Sequence, residues 1–163
     1  MHSKPYFSVE EIQRKLERFC VYQDRCHQEV EKKMQSFSLI PEAKEQILLH
    51  LLSHNFLNEE RFAKSFARGK FSVKKWGKQR IIRELKQRAI TEYIIKVALK
   101  EIDASAYLQT LYQLAEKKNG LIQEPNVFKR RKKLYDFLYR KGFEYDLITQ
   151  VIAEVISQTN EEE

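Results

Sequence analysis

Apolar side chains recur every three or four positions along most of the chain, the spacing that lines one face of an α-helix. Polar or glycine-containing breaks divide this pattern into nine segments of about 11 to 17 residues. Each segment is long enough to form an ordinary helix of a globular protein. The predicted helices cover residues 8–23, 25–37, 41–54, 58–70, 77–87, 91–101, 104–118, 126–141 and 144–157.

Residues suited to helix starts support several of these segments. Ser8, Asn58 and Thr91 stand where a side-chain oxygen can cap a helix N-terminus, and Pro41 suits the first turn of the third helix. With Gly 4 and Pro 3, the chain has few of the turn residues that hairpins, sandwiches and nucleotide-binding loops require. The predicted fold class is therefore all-α.

The chain also resembles itself. Residues 80–99 align with residues 133–152 at a constant offset, which places Leu85 over Leu138 and Ile90 over Phe143. A weaker copy lies in the first third of the chain. A fixed period of this length is typical of a tandem array of structural repeats. We predict an elongated, curved molecule of three tandem three-helix repeats, at residues 1–57, 58–103 and 104–163, the last with an acidic tail.

Positive charge is concentrated in two blocks. Residues 58–100 carry thirteen Lys or Arg against four Asp or Glu, and residues 117–141 carry nine against two. This clustering, with a pI of about 9.3, is typical of a protein that meets nucleic acid or another polyanion. Solvated helix faces are the alternative, although more interspersed acidic residues would then be expected.

Other functional classes receive little support. No apolar run reaches the roughly 18 to 20 residues that cross a bilayer, and no signal-peptide pattern opens the chain, so we expect a soluble, cytoplasmic protein. Cys20 and Cys26 fall on different helix faces, which suits free thiols. His50 and His54 stand at i and i+4 without a third ligand at suitable spacing. We predict no catalytic, cofactor-binding or metal site, and no enzyme activity.

The segment from residue 56 to residue 90 contains a distinctive combination of side chains. An acidic residue precedes Arg-Phe-Ala, then come a spaced aromatic, an Arg, a glycine-led basic helix with Glu-Leu, and a closing apolar residue. The positions are Glu60, Arg61, Phe62, Ala63, Phe66, Arg68, Gly77, Arg80, Ile81, Glu84, Leu85 and Ile90. The C-terminal segment at residues 137–148 contains a turn of the Arg-x-Gly-Phe type at residues 140–143.

This pattern resembles the regulatory protein RecX family, bacterial modulators of the RecA recombinase. The resemblance implies nine helices in three tandem repeats, binding to RecA filaments on DNA, and suppression of the strand-exchange, ATPase and coprotease activities of RecA. It implies no chemistry of the protein's own, and we expect a monomer. Ala89 departs from the family pattern, in which a glycine is usual at this position. A left-handed turn there costs alanine more conformational energy than glycine, so the expectation of such a turn is slightly weaker.

The basic residues of both blocks are the candidates for contact with RecA or DNA. Lys and Arg contact phosphates whatever the base sequence, so we expect single- or double-stranded DNA to be bound without strong sequence preference. The candidates are Arg68, Lys70, Lys74, Lys75, Lys78, Arg80, Arg83, Lys129, Arg130, Arg131, Lys132 and Lys133. The last five open a helix and oppose its dipole, so an external anion would explain them better than internal capping. A solvated charge run is the alternative.

Trp76, the only tryptophan, has two possible roles. It could stack on an exposed base or guanidinium, or it could plug the joint between helices, which we favour because Gly77 follows it at a helix start. The predicted structural residues are Phe62, Phe66, Trp76, Gly77 and Leu85. Two other functions stay open: a stand-alone DNA-binding helical-repeat protein, and a helical scaffold whose basic surface meets an acidic protein.

Overall fold

A computed structural model describes residues 6–161, and nine α-helices account for most of them. The bounds are α1 Val9–Tyr22, α2 His27–Met34, α3 Pro41–Ser53, α4 Glu59–Ser72, α5 Lys78–Gln87, α6 Glu92–Leu99, α7 Ala104–Leu121, α8 Val127–Lys141 and α9 Tyr145–Glu161. No strand occurs in residues 6–161. The predicted all-α fold of three tandem three-helix units is confirmed, with α1–α3 as the first repeat, α4–α6 as the second and α7–α9 as the third.

The predicted helix caps are present. The side chains of Ser8 and Asn58 accept hydrogen bonds from backbone N–H groups at 3.2 and 2.9 Å, and Thr91 does the same at 3.5 Å. Each bond satisfies one of the N–H groups that a helix leaves unpaired at its N-terminus. The repeat boundaries at residues 57/58 and 103/104 stay a prediction, and Glu162 and Glu163 of the acidic tail lie outside the described residues.

The alignment of the second and third repeats describes the structure well. Ala89 and Gly142, which occupy equivalent positions, both have left-handed backbones, with φ values of 58° and 102°. The next residue in each repeat is apolar and buried, Ile90 in the second repeat and Phe143 in the third. The turn therefore forms at Ala89 despite the absence of glycine, because the buried Ile90 offsets the cost of the strained alanine.

The buried side chains form two separate cores. The first core lies within α1–α3 and contains Leu16, Ile47 and Leu51. The second, which we call the shared core, runs continuously through both remaining repeats. Aromatic rings connect the two repeats within this core. The ring of Tyr107 in the third repeat lies 5.8 Å from that of Phe71 in the second and 5.1 Å from that of Phe143. The second and third repeats thus bury their apolar faces together, whereas most buried side chains of the first repeat form a core of their own and only Cys26 among those described reaches the shared core.

The molecule exposes a large surface for its size. Its accessible surface is 11090 Å², about 30% more than the roughly 8600 Å² expected of a compact monomer of this mass. An array of small units has more surface than one globule, so this area agrees with an elongated shape. None of the described helices is both long enough and apolar enough to cross a membrane.

Candidate nucleic-acid interface

The start of α5 is docked on the turn between α8 and α9. The N–H of Gly77 donates to the carbonyl oxygen of Lys141 at 2.7 Å, and the N–H of Gln79 donates to that of Gly142 at 2.9 Å. A side chain on Gly77 would not fit, because a Cβ atom there would lie 2.2 Å from the carbonyl carbon of Gly142. The backbones of the second and third repeats therefore meet directly at this point.

A tyrosine hydroxyl completes the joint. The N–H of Lys78 donates to the hydroxyl of Tyr107 at 3.0 Å, and this hydroxyl donates in turn to the carboxylate of Glu144. Burial, and then the hydrogen bond to Glu144, raise the pKa of Tyr107 well above its ordinary value, so the hydroxyl keeps its proton. Groups of the third repeat thus satisfy N–H groups that α5 would otherwise leave unpaired.

This docking brings together basic residues that are distant in the sequence. A guanidinium nitrogen of Arg80 lies 3.4 Å from the carbonyl oxygen of Arg140, and the ammonium of Lys141 donates to the carbonyl oxygen of Lys74 at 3.2 Å. The end of α4, the start of α5 and the end of α8 consequently present cations on one surface.

Trp76 lies at the centre of that surface. Its ring is half-buried and packs edge-on against Phe66, with ring centroids 6.3 Å apart. Two cations lie over the tryptophan ring, the Lys70 ammonium at 4.9 Å and the Arg80 guanidinium at 4.1 Å. Trp76 therefore packs against the shared core, as the plug role requires, and also holds two cations in place through cation–π contacts.

We call this surface the Trp76 basic cluster. It consists of Trp76 with Lys70, Lys74, Lys75, Arg80, Arg140 and Lys141. Within the part of the chain whose side chains are described, none of these six cations forms an ion pair. Unpaired cations held close together raise the local electrostatic potential, so this surface attracts anions.

The chain matches two family models, described as the second and third three-helix domains of RecX, over residues 58–99 and 105–152. The curated "Regulatory protein RecX" of Prosthecochloris aestuarii is 31% identical over 134 residues, which cover 82% of this chain and 86% of that protein. The chain belongs to the RecX family. Its members in Bacillus cytotoxicus and Clostridium botulinum are 28% and 32% identical over 82% and 66% of the chain, and the chain spans about half of their length (50% each).

Solved structures of the family share the fold. The crystal structure of RecX from Lactobacillus salivarius superposes with a TM-score of 0.80 at 24% identity, covering 90% of this chain and 96% of that one. A second structure, of a regulatory protein RecX, gives a TM-score of 0.76 at 21% identity over 93% and 82% of the two chains. At these identities the likeness establishes the three-repeat fold of this RecX-family chain and nothing finer.

The remaining predicted contact residues of the second repeat lie outside the Trp76 basic cluster. Arg68 pairs with Glu101 at 3.2 Å, although its side chain stays largely exposed. Lys78 is half-buried at the joint, and its ammonium lies 4.8 Å from the ring of Tyr107. Arg83 is exposed and lines a groove between α5 and the α8–α9 turn.

Three residues of the second basic block have partners within the protein, where the sequence led us to expect an external anion. Arg130 is half-buried, and its guanidinium donates to the carbonyl oxygens of Asn119 and Ile122 at 2.9 Å and of Glu124 at 3.1 Å. Arg130 therefore closes the end of α7, which extends to Leu121, beyond the predicted end. Lys132 pairs with Asp136 at 3.0 Å, and Lys133 with Glu124 at 3.7 Å. Lys129 and Arg131 are exposed without an ion pair among the described side chains.

The residues predicted to be structural lie in or against the shared core. Phe62, Gly77 and Leu85 are buried, and the half-buried Phe66 contacts both Phe62 and Trp76. His50 hydrogen-bonds Glu17 at 2.7 Å, while His54 contacts only its own turn and the His50 ring. The described residues contain no group of three potential metal ligands.

Two residues of the Trp76 basic cluster, Arg140 and Lys141, were not predicted. In the sequence they precede the Gly142 turn, and the offset alignment says nothing about which surface they face. Their neighbours Arg80 and Lys74 lie 60 and 67 positions away along the chain. The sequence pointed to these two residues only through the positive charge of residues 117–141, to which both contribute.

Proposed function

We propose that this protein binds RecA filaments on DNA and thereby inhibits or modulates the recombinase, ATPase and coprotease activities of RecA. Membership of the RecX family supports a regulatory role. The observation that carries the DNA part of the proposal is the Trp76 basic cluster, in which two cations lie over the tryptophan ring and backbone contacts bring basic residues of the second and third repeats together.

The geometry of this cluster suits a polyanion with a regular backbone. Each cation that meets a phosphate releases a condensed counterion, which supplies affinity without reading the base sequence. Because the cluster crosses the joint between α5 and α8, a nucleic-acid strand lying on it contacts two repeats at once. DNA, single- or double-stranded, would then be bound without strong sequence preference by a monomer of this chain.

Among the basic residues of the two blocks, the contact residues that we propose first are those without an ion pair among the described side chains. They are Lys70, Lys74, Lys75, Lys78, Arg80, Arg83, Lys129, Arg131, Arg140 and Lys141, with Arg68, Lys132 and Lys133 as ion-paired neighbours. We assign Arg130 to the fold, because the end of α7 occupies its guanidinium.

ATP hydrolysis by RecA on single-stranded DNA tests the proposal. The wild-type protein should suppress hydrolysis at near-stoichiometric amounts, and Lys74→Glu/Lys75→Glu should suppress it far less. The matched control is Arg14→Glu/Arg18→Glu, which changes the net charge equally on exposed positions of α1. No inhibition by the wild-type protein would contradict the proposal.

Direct DNA binding separates this function from the alternative. At low salt, Lys74→Glu/Lys75→Glu should lower affinity for labelled DNA about tenfold or more, while the thermal midpoint stays nearly unchanged because exposed charges contribute little stability. A protein that binds DNA in this way but leaves RecA hydrolysis unaffected would be a stand-alone DNA-binding protein.

A further inference from the structure

Three tyrosines form an exposed ridge on the third repeat. The rings of Tyr135 and Tyr139 are nearly parallel, at 14° and 5.8 Å between centroids, and Tyr145 meets Tyr135 edge-on at 6.0 Å. Tyr139 and Tyr145 are 56% and 63% exposed. We call these three residues the tyrosine ridge. Tyr135 packs against the shared core and supports the two outer rings, so the ridge rests on a rigid base.

The ridge is flanked by cations on both sides. On one side it borders a groove of about 420 Å³, lined also by Arg83 and Lys86 of α5. On the other side it borders a second groove, of about 460 Å³, lined also by Arg131 and Lys132 of α8. Tyr145 lines both grooves, so the exposed rings lie between two pairs of cations.

Two carboxylates that line these grooves are already engaged. Glu144 accepts a hydrogen bond from the hydroxyl of the buried Tyr107, and Asp136 pairs with Lys132 at 3.0 Å. Three of the four flanking cations have no ion pair among the described side chains, namely Arg83, Lys86 and Arg131. The face has a net positive charge and should attract an anionic chain rather than a cationic one.

We propose that the tyrosine ridge stacks unpaired bases of a single-stranded nucleic acid while the flanking cations hold its phosphates. Aromatic side chains alternating with cations are how sequence-tolerant single-strand sites are built, because every base has a face that stacks. A duplex keeps its bases stacked on one another and has none free for the ridge. An acidic protein surface would use the cations but would not need two exposed rings.

The ridge extends the surface proposed above. Arg83 lies one turn after Arg80 on α5, and Tyr139 directly precedes Arg140 on α8, so the ridge and the Trp76 basic cluster adjoin on two helices. The inference rests on the proposed function in taking DNA as the polyanion, but it does not depend on RecA. It adds a preference for unpaired strands to the phosphate contacts of the cluster.

Fluorescence anisotropy without RecA tests the inference. The probes are labelled oligo(dT), an oligomer of equal length whose central residues are abasic, and a duplex of equal length. The wild-type protein should bind oligo(dT) about fivefold or more tightly than the abasic oligomer, which has the same charge. In Tyr139→Ala/Tyr145→Ala this difference should disappear, while the slope of log affinity against log salt stays unchanged because no phosphate contact is lost.

Two control variants accompany the measurement. Tyr139→Phe/Tyr145→Phe keeps both ring faces and should retain the preference for oligo(dT). Tyr93→Ala removes an exposed tyrosine from α6, away from the ridge, and should bind all three probes as the wild type does. Circular dichroism and the thermal midpoint establish that each variant is folded.

Several outcomes overturn the inference. These are equal affinity of the wild type for oligo(dT) and the abasic oligomer, no binding of either, or unchanged base preference in Tyr139→Ala/Tyr145→Ala. If that variant kept its DNA binding but lost inhibition of RecA hydrolysis, the ridge would be a protein contact instead. Failure of the wild type to inhibit RecA would refute the proposed function alone, since no RecA is present in the binding assay.

Discussion

Gly77 and Gly142 contact one another through their backbones across the boundary between the second and third repeats. A Cβ atom on Gly77 would lie 2.2 Å from the carbonyl carbon of Gly142 and 2.3 Å from its oxygen. The obstructing atoms are backbone atoms held by the hydrogen bond from Gly77 to Lys141, so they cannot rotate away as a flexible side chain would. Glycine at position 77 is therefore a requirement of the joint between repeats.

We expect Gly77→Ala to destabilise the second and third repeats together, by about 2 to 3 kcal/mol, because the joint must open to admit the methyl group. Urea unfolding followed by circular dichroism measures the loss. Gly69→Ala is the matched control: nothing lies within 4 Å of its Cβ position in α4, and alanine should stabilise that helix by about 0.5 to 1 kcal/mol. Equal stability of the two variants would show that the close approach does not constrain the fold.

Arg80 and Arg130 were both predicted as contact residues, but the structure gives them different partners. Arg80→Gln should reduce the slope of log affinity against log salt by about 0.7 to 0.9 if one phosphate contact is lost, with little change in stability. Arg130→Gln should leave the salt slope unchanged and destabilise the protein by about 2 to 3 kcal/mol, because it frees carbonyl groups at the end of α7.

Anisotropy titrations at several salt concentrations, together with urea unfolding of both variants, provide the comparison. Each variant removes one positive charge, so a general effect of net charge would move the two salt slopes equally. Equal changes in salt slope, or loss of stability in Arg80→Gln alone, would contradict the different roles assigned to the two arginines.

Asp24 connects the first repeat to the second and makes that connection dependent on pH. It accepts hydrogen bonds from Arg61 and Ser65 of α4, each at 2.8 Å. Burial by itself raises the pKa of Asp24, but these two hydrogen bonds and the Arg61 charge outweigh it and leave the pKa below its ordinary value. The stabilisation is therefore complete above the unfolded-state pKa, about 3.9, and is lost as the pH falls through the lower folded-state pKa.

Asp24→Asn should accordingly lower stability at pH 7 by about 1 kcal/mol, and the gap to the wild type should shrink as the pH falls below about 4. Urea unfolding at pH 7 and at pH 3 measures both values. Glu60→Gln, which breaks an exposed pair with Lys64 in the same helix, should cost less, about 0.3 to 0.5 kcal/mol. A gap that is constant from pH 7 to pH 3 would show that the Asp24 charge does not contribute.

The sequence predicted the helices and the repeat well, because both depend on local patterns. Apolar spacing and the capping residues Ser8, Asn58 and Thr91 act within one helix, and the offset alignment compares local segments. The positive φ of Ala89 runs against its residue type, and it is supported by the burial of Ile90 and by the hydrogen bond from the Ile90 N–H to the carbonyl oxygen of Leu85 at 3.1 Å.

The arrangement of the basic residues was harder to predict. Charge blocks in a sequence do not say which cations face each other after helices from different repeats dock. The meeting of Lys141 with Lys74 depends on the contact of Gly77 with Gly142, which no periodicity reveals. Similarly, the role of Arg130 depends on α7 continuing to Leu121, beyond the predicted end of that helix. Long-range packing therefore decided which candidates we propose as contact residues.

The two cysteines allow the two cores to be tested separately. Cys20 is buried in the first core and Cys26 in the shared core, and burial raises the pKa of both thiols, so neither should react rapidly in the native protein. Leu16→Ala and Leu111→Ala remove fully buried side chains from the first and the shared core, each at a cost of about 2 to 5 kcal/mol.

If the cores open independently, Leu111→Ala should speed alkylation of Cys26 and leave that of Cys20 nearly unchanged, whereas Leu16→Ala, which destabilises the repeat that carries both cysteines, should speed both. Mass spectrometry of peptides after timed exposure to iodoacetamide measures both rates in one sample. Equal acceleration of the two thiols in Leu111→Ala would mean that all three repeats unfold as one unit. In that case the contacts of Asp24 with α4, and the insertion of Cys26 into the shared core, would be strong enough to couple the first repeat to the others.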